Sequence, residues 1–189
     1  MDDLRHVLKL SADLIADYRE ALPSLRVGPT VGRAQVRESL GTLPDHGESL
    51  ETVLEELVSA ARPGLMSSAG PRYFGFVVGG SLDAALVADL VATGWDQVAF
   101  NEATSPAALA FEDVAGMWLK DLLHIPRSAS VGFVTGAQAA NTVGLAAGRW
   151  RVLHDQGWDV GRDGLNGAPP VRVVAGAERH ATIDRTLRL

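Results

Sequence analysis

The residues with the most chemical content lie in one stretch, Gly132-Phe133-Val134-Thr135-Gly136-Ala137-Gln138-Ala139-Ala140-Asn141, where a buried-strand pattern breaks at a glycine and restarts as a small-residue helix. Such a junction aims backbone amides at an anion. The first turn of a helix leaves about four N–H groups unpaired and carries the positive end of the macrodipole, so phosphate is held there without a basic side chain. Alone the junction is a weak signal, because strand-glycine-helix turns occur throughout α/β proteins. A second feature is Glu178-Arg179-His180-Ala181-Thr182-Ile183-Asp184-Arg185, a loop feeding a helix after a short apolar run. By itself His180 reads more readily as a cap or surface histidine than as a functional one.

Composition narrows the chemistry. The chain has 189 residues, enough for one core or for a small domain with a helical appendage. Its formal charge of −6 argues against nucleic acid as a partner. Cysteine is absent, which excludes disulfides, thiolate nucleophiles and cysteine-ligated zinc. His6, His46, His124 and His154 are scattered at no metal-ligand spacing, so no metal site is expected. The lysines are Lys9 and Lys120, and both read as solvated surface residues. Glu112 and Asp113 adjoin on one helix and point apart, so they do not form a catalytic carboxylate pair. No apolar run approaches membrane-spanning length and the N-terminus lacks a secretory pattern, so a cytoplasmic protein with no membrane partner is expected.

The elements that must position these residues follow from periodicity. Residues 1 to about 21 place Leu4, Val7, Leu8, Leu14 and Ile15 on one face of an amphipathic helix, ended by Pro23. An extended linker over 27–32 leads to short helices near 35–40 and 50–61, the second with Ser49 as its cap. Small-residue helices are expected over 81–98 and 106–123, joined by a polar turn at 101–105. Strands at 130–134 and 171–175, with a helix over 138–153 and a polar loop over 155–170 between them, suit a parallel α/β layer. A final helix starts near Thr182. Period-two alternation would face Phe74 and Phe76 the same way, and Gly79-Gly80 reads as a turn into the next helix.

Pro71…Phe74-Gly75…Gly79-Gly80, then Ser105-Pro106-Ala107, then the 132–141 junction, then His180 before a short helix, occur in one order at plausible spacing. Together they resemble the N-terminal part of the pyridoxal-phosphate-dependent group II decarboxylases, the family of aromatic-L-amino-acid decarboxylase. The resemblance implies a fold-type-I, α/β large domain. Residues 1–65 would form an N-terminal helical flap through which two subunits clasp as a homodimer, and residues 66–189 the first part of the large cofactor domain. It implies pyridoxal 5′-phosphate as cofactor and an amino acid as substrate, decarboxylated by a carboxy-lyase reaction.

Site residues follow from the same resemblance. The cofactor phosphate falls on Ala137 and Gln138, with Gly136 allowing close approach of the backbone. His180 stacks on the pyridine ring and assists proton transfer. Phe76 and Gly79 line the substrate pocket, and 101–105 reaches toward a neighbouring subunit's site. Two positions depart from the family. Ala137-Gln138 stands where Gly-Gly or a hydroxyl residue is common, leaving the glutamine amide as a phosphate donor, and Gly70 stands where a histidine often precedes Pro71. The family's Schiff-base lysine and the aspartate that pairs with the pyridine nitrogen belong to motifs farther along than Leu189, so a chain that is a poor catalyst alone is expected. Two other readings stay open: a non-catalytic dimerisation module of the same family, and an unrelated phosphate-binding α/β domain.

Overall fold

The computed structural model describes residues 3–189, which form two compact units, one running to Asp96 and the other spanning Gln97–Leu189.

In the first unit α1, Leu4–Ala21, opens with Asp3, whose side chain accepts from the Arg5 amide at 3.0 Å. The linker, expected to be extended, bends at Val27, Gly28, Thr30 and Val31 and is tied down: Thr30 donates its amide to the Pro63 carbonyl at 2.8 Å, and the Ser67 amide reaches the Val27 carbonyl at 3.0 Å. Next come α2, Arg33–Ser39, and α3, Leu50–Ala61, whose cap is Ser49, accepting from the Thr52 amide at 3.1 Å. A single 3₁₀ turn, Arg62–Gly64, carries Pro63 near its start and stops α3. Helices α1 and α3 pack together along an apolar groove of about 260 Å³ lined by Leu14, Ile15, Tyr18, Leu54, Leu57 and Val58. The unit ends with α4, Asp83–Trp95.

In the second unit α5, Pro106–Leu122, starts at Ser105, which is 1% exposed and accepts from the Ala108 amide. Its preceding turn is closed by reciprocal bonds, Asn101 Oδ1 accepting from the Thr104 amide and Thr104 Oγ1 from the Asn101 amide. Helix α6, Ala137–Asp155, is followed by α7, Val160–Asp163, and α8, Ala181–Thr186. The single turn α7 falls inside the expected polar loop. Asp159 caps it by accepting from the amides of Gly161 and Arg162, and Gly164, at φ 68°, ends it in a conformation that favours glycine.

The expected strands are absent among the described residues. Segments 130–134 and 171–175 make no backbone–backbone hydrogen bond there, and a strand exists only through its ladder to a neighbour. Apolar periodicity shows which segments suit a sheet; it does not supply the partner. Segment 130–134 nevertheless lies against α5, where Gly116 is buried and a methyl group in its place would sit 3.5 Å from Val131.

Candidate functional site

The site assembles where the N-terminal half of α6 meets α8. Helix α6 begins at Gly136, and no side chain caps its first turn; the first bond of the helix is from the Ala140 amide to the Gly136 carbonyl. The amides of Ala137 and Gln138 thus precede the repeating pattern, and an anion there would meet backbone donors and the positive end of a 19-residue helix. Gly136 is extended, at φ 161°, so its dihedral does not demand glycine. The space around it is open, and a β-carbon there would have nothing within 4 Å.

Gln138 turns its side chain toward α8. Its Nε2 donates to the Thr182 carbonyl at 3.3 Å and to Thr186 Oγ1 at 3.0 Å. The carbonyl partner fixes which amide atom is nitrogen, leaving Oε1 buried with no hydrogen-bond partner. At the helix start the backbone N–H of Gln138 is the group that an anion would meet.

His180 is the N-cap of α8, with Nδ1 accepting from the Thr182 amide at 3.2 Å. The ring is exposed. Nδ1 also lies 3.0 Å from Thr182 Oγ1, which accepts from Asn141 Nδ2 at 2.7 Å, and Thr142 Oγ1 is 3.1 Å from Thr186 Oγ1. Gln138, Asn141 and Thr142 therefore stitch the first two turns of α6 to α8 and hold the His180 cap near the N-terminal half of α6. The plain reading of His180 as a cap and its reading as a site residue describe the same geometry. Asn141, Thr142, Thr182 and Thr186 carry no role in the sequence reading. Their signal is the spacing of polar residues three and four apart on two helices, which puts each set on one face.

The remaining predicted residues lie in the first unit. Phe76 is 91% exposed at φ 54°, and Val77 follows at φ 53°. Positive φ is costly for a bulky or β-branched residue and breaks the alternation that would have faced Phe74 and Phe76 alike. Gly79 is exposed, with open space around it. The start of α4 just beyond is held to α1 by Arg19, which donates to Ser81 Oγ and to Asp83 Oδ1 at 2.7 Å. Gly70 sits in a tight place, since a β-carbon would meet the carbonyls of Ser67 at 3.1 Å and Leu22 at 3.3 Å, and a larger side chain would need these to give by a few tenths of an ångström. Lys9 is exposed, whereas Lys120 is half-buried and donates to the carbonyls of Arg127 and Ala129, which corrects its reading as a solvated side chain.

Residues 34–183 match the pyridoxal-dependent decarboxylase conserved domain. The chain belongs to that family. It is 30% identical over its whole length to tryptophan decarboxylase 1 of Oryza sativa subsp. japonica, covering 38% of that protein, and equally similar to tyrosine decarboxylase 2 of Narcissus pseudonarcissus, again covering 38%. Among solved structures, Oryza sativa TDC with PLP and tryptamine matches 98% of this chain and 41% of its own at TM-score 0.81 and 28% identity. Mouse CSAD matches at TM-score 0.83 and 18% identity, over 98% of this chain and 39% of its own, a likeness of fold alone. The chain thus spans about two fifths of the length of these relatives. Family membership removes the reading as an unrelated phosphate-binding domain. No helix among the described residues is long and apolar enough to cross a membrane.

Proposed function

We propose that this chain supplies the phosphate- and ring-holding part of a pyridoxal-phosphate-dependent amino-acid decarboxylase, within a fold-type-I α/β domain. The observation that carries the reading is the uncapped N-terminus of α6 held against His180 by side chains of its own first turns. Backbone amides of Ala137 and Gln138 would bind the phosphate, with Gly136 leaving the approach open. His180 would stack on the ring, its Nε2 carrying a proton because Nδ1 accepts from a backbone amide. When bound, pyridoxal phosphate supplies the electron sink that makes loss of the α-carboxylate possible.

An aromatic or other bulky amino acid is the proposed substrate class, in keeping with the tryptophan and tyrosine decarboxylases among the relatives. Phe76 and Gly79 are proposed to line its pocket. Residues 1–65 are proposed as a dimerising flap in a cytoplasmic homodimer: Leu4 and Leu8 on α1 and Val53 and Leu57 on α3 are exposed, as a surface awaiting a second copy would be. Neither lysine suits Schiff-base chemistry, Lys9 being solvated and Lys120 spent on carbonyls, so holding the cofactor is the role assigned to these residues.

The test is a titration with pyridoxine 5′-phosphate, whose alcohol in place of the aldehyde prevents imine formation with Lys9. His180→Ala is expected to weaken binding by about threefold to tenfold, the worth of one aromatic stacking contact. Unchanged affinity in the variant would remove His180 from the site.

A further inference from the structure

We propose that Thr182, held in turn by Asn141, is a positioning residue that fixes the His180 ring and its tautomer, leaving Nε2–H as the group presented to the cofactor. The proposal rests on the functional reading above for its purpose, and on this chain's hydrogen bonds alone for its geometry. Three bonds define it. The Thr182 amide donates to His180 Nδ1 at 3.2 Å, Thr182 Oγ1 lies 3.0 Å from the same nitrogen, and Asn141 Nδ2 donates to Thr182 Oγ1 at 2.7 Å.

Donor and acceptor capacity then sets the proton positions. A backbone amide only donates, so Nδ1 presents its lone pair and the neutral ring carries its proton on Nε2. The Asn141 amide also only donates through Nδ2, so it takes a lone pair of Thr182 Oγ1 and leaves the threonine's own proton to point at Nδ1. Thr182 thus grips the ring twice, through main chain and side chain, and Asn141 fixes the direction of the second grip.

Burial explains why the arrangement is held. Thr182 is 7% exposed and Thr186, one turn on, is 7% exposed, so their hydroxyls need protein partners. Those partners come from α6: Asn141 for Thr182, and Gln138 and Thr142 for Thr186. The His180 ring itself is exposed, and without the Thr182 hydroxyl it would keep one hydrogen bond and gain rotational freedom. Because the same helix carries the proposed phosphate amides, the relay also sets the distance between ring and phosphate contacts.

The experiment reads the His180 tautomer by nitrogen NMR of the full chain without cofactor, alongside affinity for pyridoxine 5′-phosphate and for inorganic phosphate. In the unaltered chain Nδ1 is expected to give the shift of an unprotonated nitrogen. Thr182→Val keeps the side-chain shape and the backbone cap, so Nδ1 stays unprotonated, but it removes the hydroxyl; the ring is expected to lose its fixed orientation, read as averaged side-chain couplings and increased ring mobility in nitrogen relaxation. Its affinity for pyridoxine 5′-phosphate should fall about fivefold, the equivalent of one net hydrogen bond, with phosphate affinity unchanged. Thr182→Ser restores the hydroxyl and should restore both readings. If Thr182→Val loses α8, Asn141→Ala leaves the backbone of α8 intact and is expected to give the same loss of ring order. A His180 ring as well ordered in the folded Thr182→Val or Asn141→Ala chain as in the unaltered chain would overturn the proposal. The tautomer reading needs no cofactor, so failure of pyridoxine 5′-phosphate to bind the unaltered chain would count against the functional reading and leave this inference to stand or fall by the NMR.

Discussion

Ala137→Asp is expected to abolish cofactor-phosphate binding while leaving α6 as stable as before or slightly more so. Ala137 is the first residue of α6 and is exposed, so a carboxylate fits there without displacing anything buried. A negative charge in the first turn complements the helix dipole and stabilises the helix by about 0.3–1 kcal/mol. The same charge sits where the phosphate would bind. Two like charges about 5 Å apart near a protein surface repel by roughly 3 kcal/mol, or about a hundredfold in affinity. The two effects have opposite signs, so loss of binding cannot be put down to unfolding. Ala137→Asn, similar in shape and uncharged, is expected to bind within a few-fold of the unaltered chain. Thermal unfolding followed by circular dichroism, with a pyridoxine 5′-phosphate titration of each variant, reads both quantities. Retained affinity in Ala137→Asp would place the phosphate elsewhere.

The second large effect is on stability. Leu153→Ala is expected to cost about 2–5 kcal/mol, because a buried leucine loses its transfer free energy and leaves a cavity. Leu153, in the last turns of α6, is 1% exposed and is the largest fully buried apolar side chain among the described residues. Its carbonyl also accepts from the amides of Gln156 and Trp158, so the chain reversal after α6 is anchored at the same residue. The only other buried apolar residues described are Leu22 and Ala60, both in the first unit, so the second unit has little else to draw on. Against a typical total stability of about 5–15 kcal/mol, a loss of this size would broaden or erase the cooperative transition. Amide-exchange protection along α6 is the measurement; protection unchanged from the unaltered chain would show that α6 is held by something other than Leu153.

Helices were legible in the sequence because their signals are local. Ser49 before α3 is the expected cap and accepts from the amide three positions on; Ser105 before Pro106 does the same for α5, although the sequence reading placed it only in a polar turn. Helix α7 was not legible, since Val160-Gly161-Arg162-Asp163 has no apolar period and its turn is made by Asp159 and Gly164 at its ends. The two strands were over-read for the converse reason: alternating or continuous apolar residues at 130–134 and 171–175 describe compatibility with a sheet, whereas strand structure depends on distant partners. Exposed apolar side chains on 171–175, such as Val173 and Val174, show how much of that compatibility is unused here.

Around the candidate site the sequence locates elements better than it locates side-chain contacts. The break at Gly136 located the start of α6 from composition alone. What Gln138 does was hidden, because a glutamine after a glycine turn can reach an anion or a neighbouring helix, and only the position of Thr182 and Thr186 decides between them. Those threonines lie more than forty residues away in sequence. Phe76 was read as one of an alternating pair, but a positive φ depends on the path the loop must take and leaves no mark on a non-glycine residue. Gly70, which departs from the family pattern, lies where a β-carbon would crowd the carbonyls of Leu22 and Ser67.

The central claim is that the N-terminus of α6 binds the cofactor through its phosphate. Equilibrium dialysis of the chain against pyridoxine 5′-phosphate and against pyridoxine, which differ only in that group and cannot form an imine, measures the claim directly. The phosphate ester is predicted to bind at least about tenfold more tightly, as a charge-assisted contact to backbone donors is worth upwards of 1.5 kcal/mol, with the difference lost in Ala137→Asp. Equal affinity for the two compounds would contradict the account.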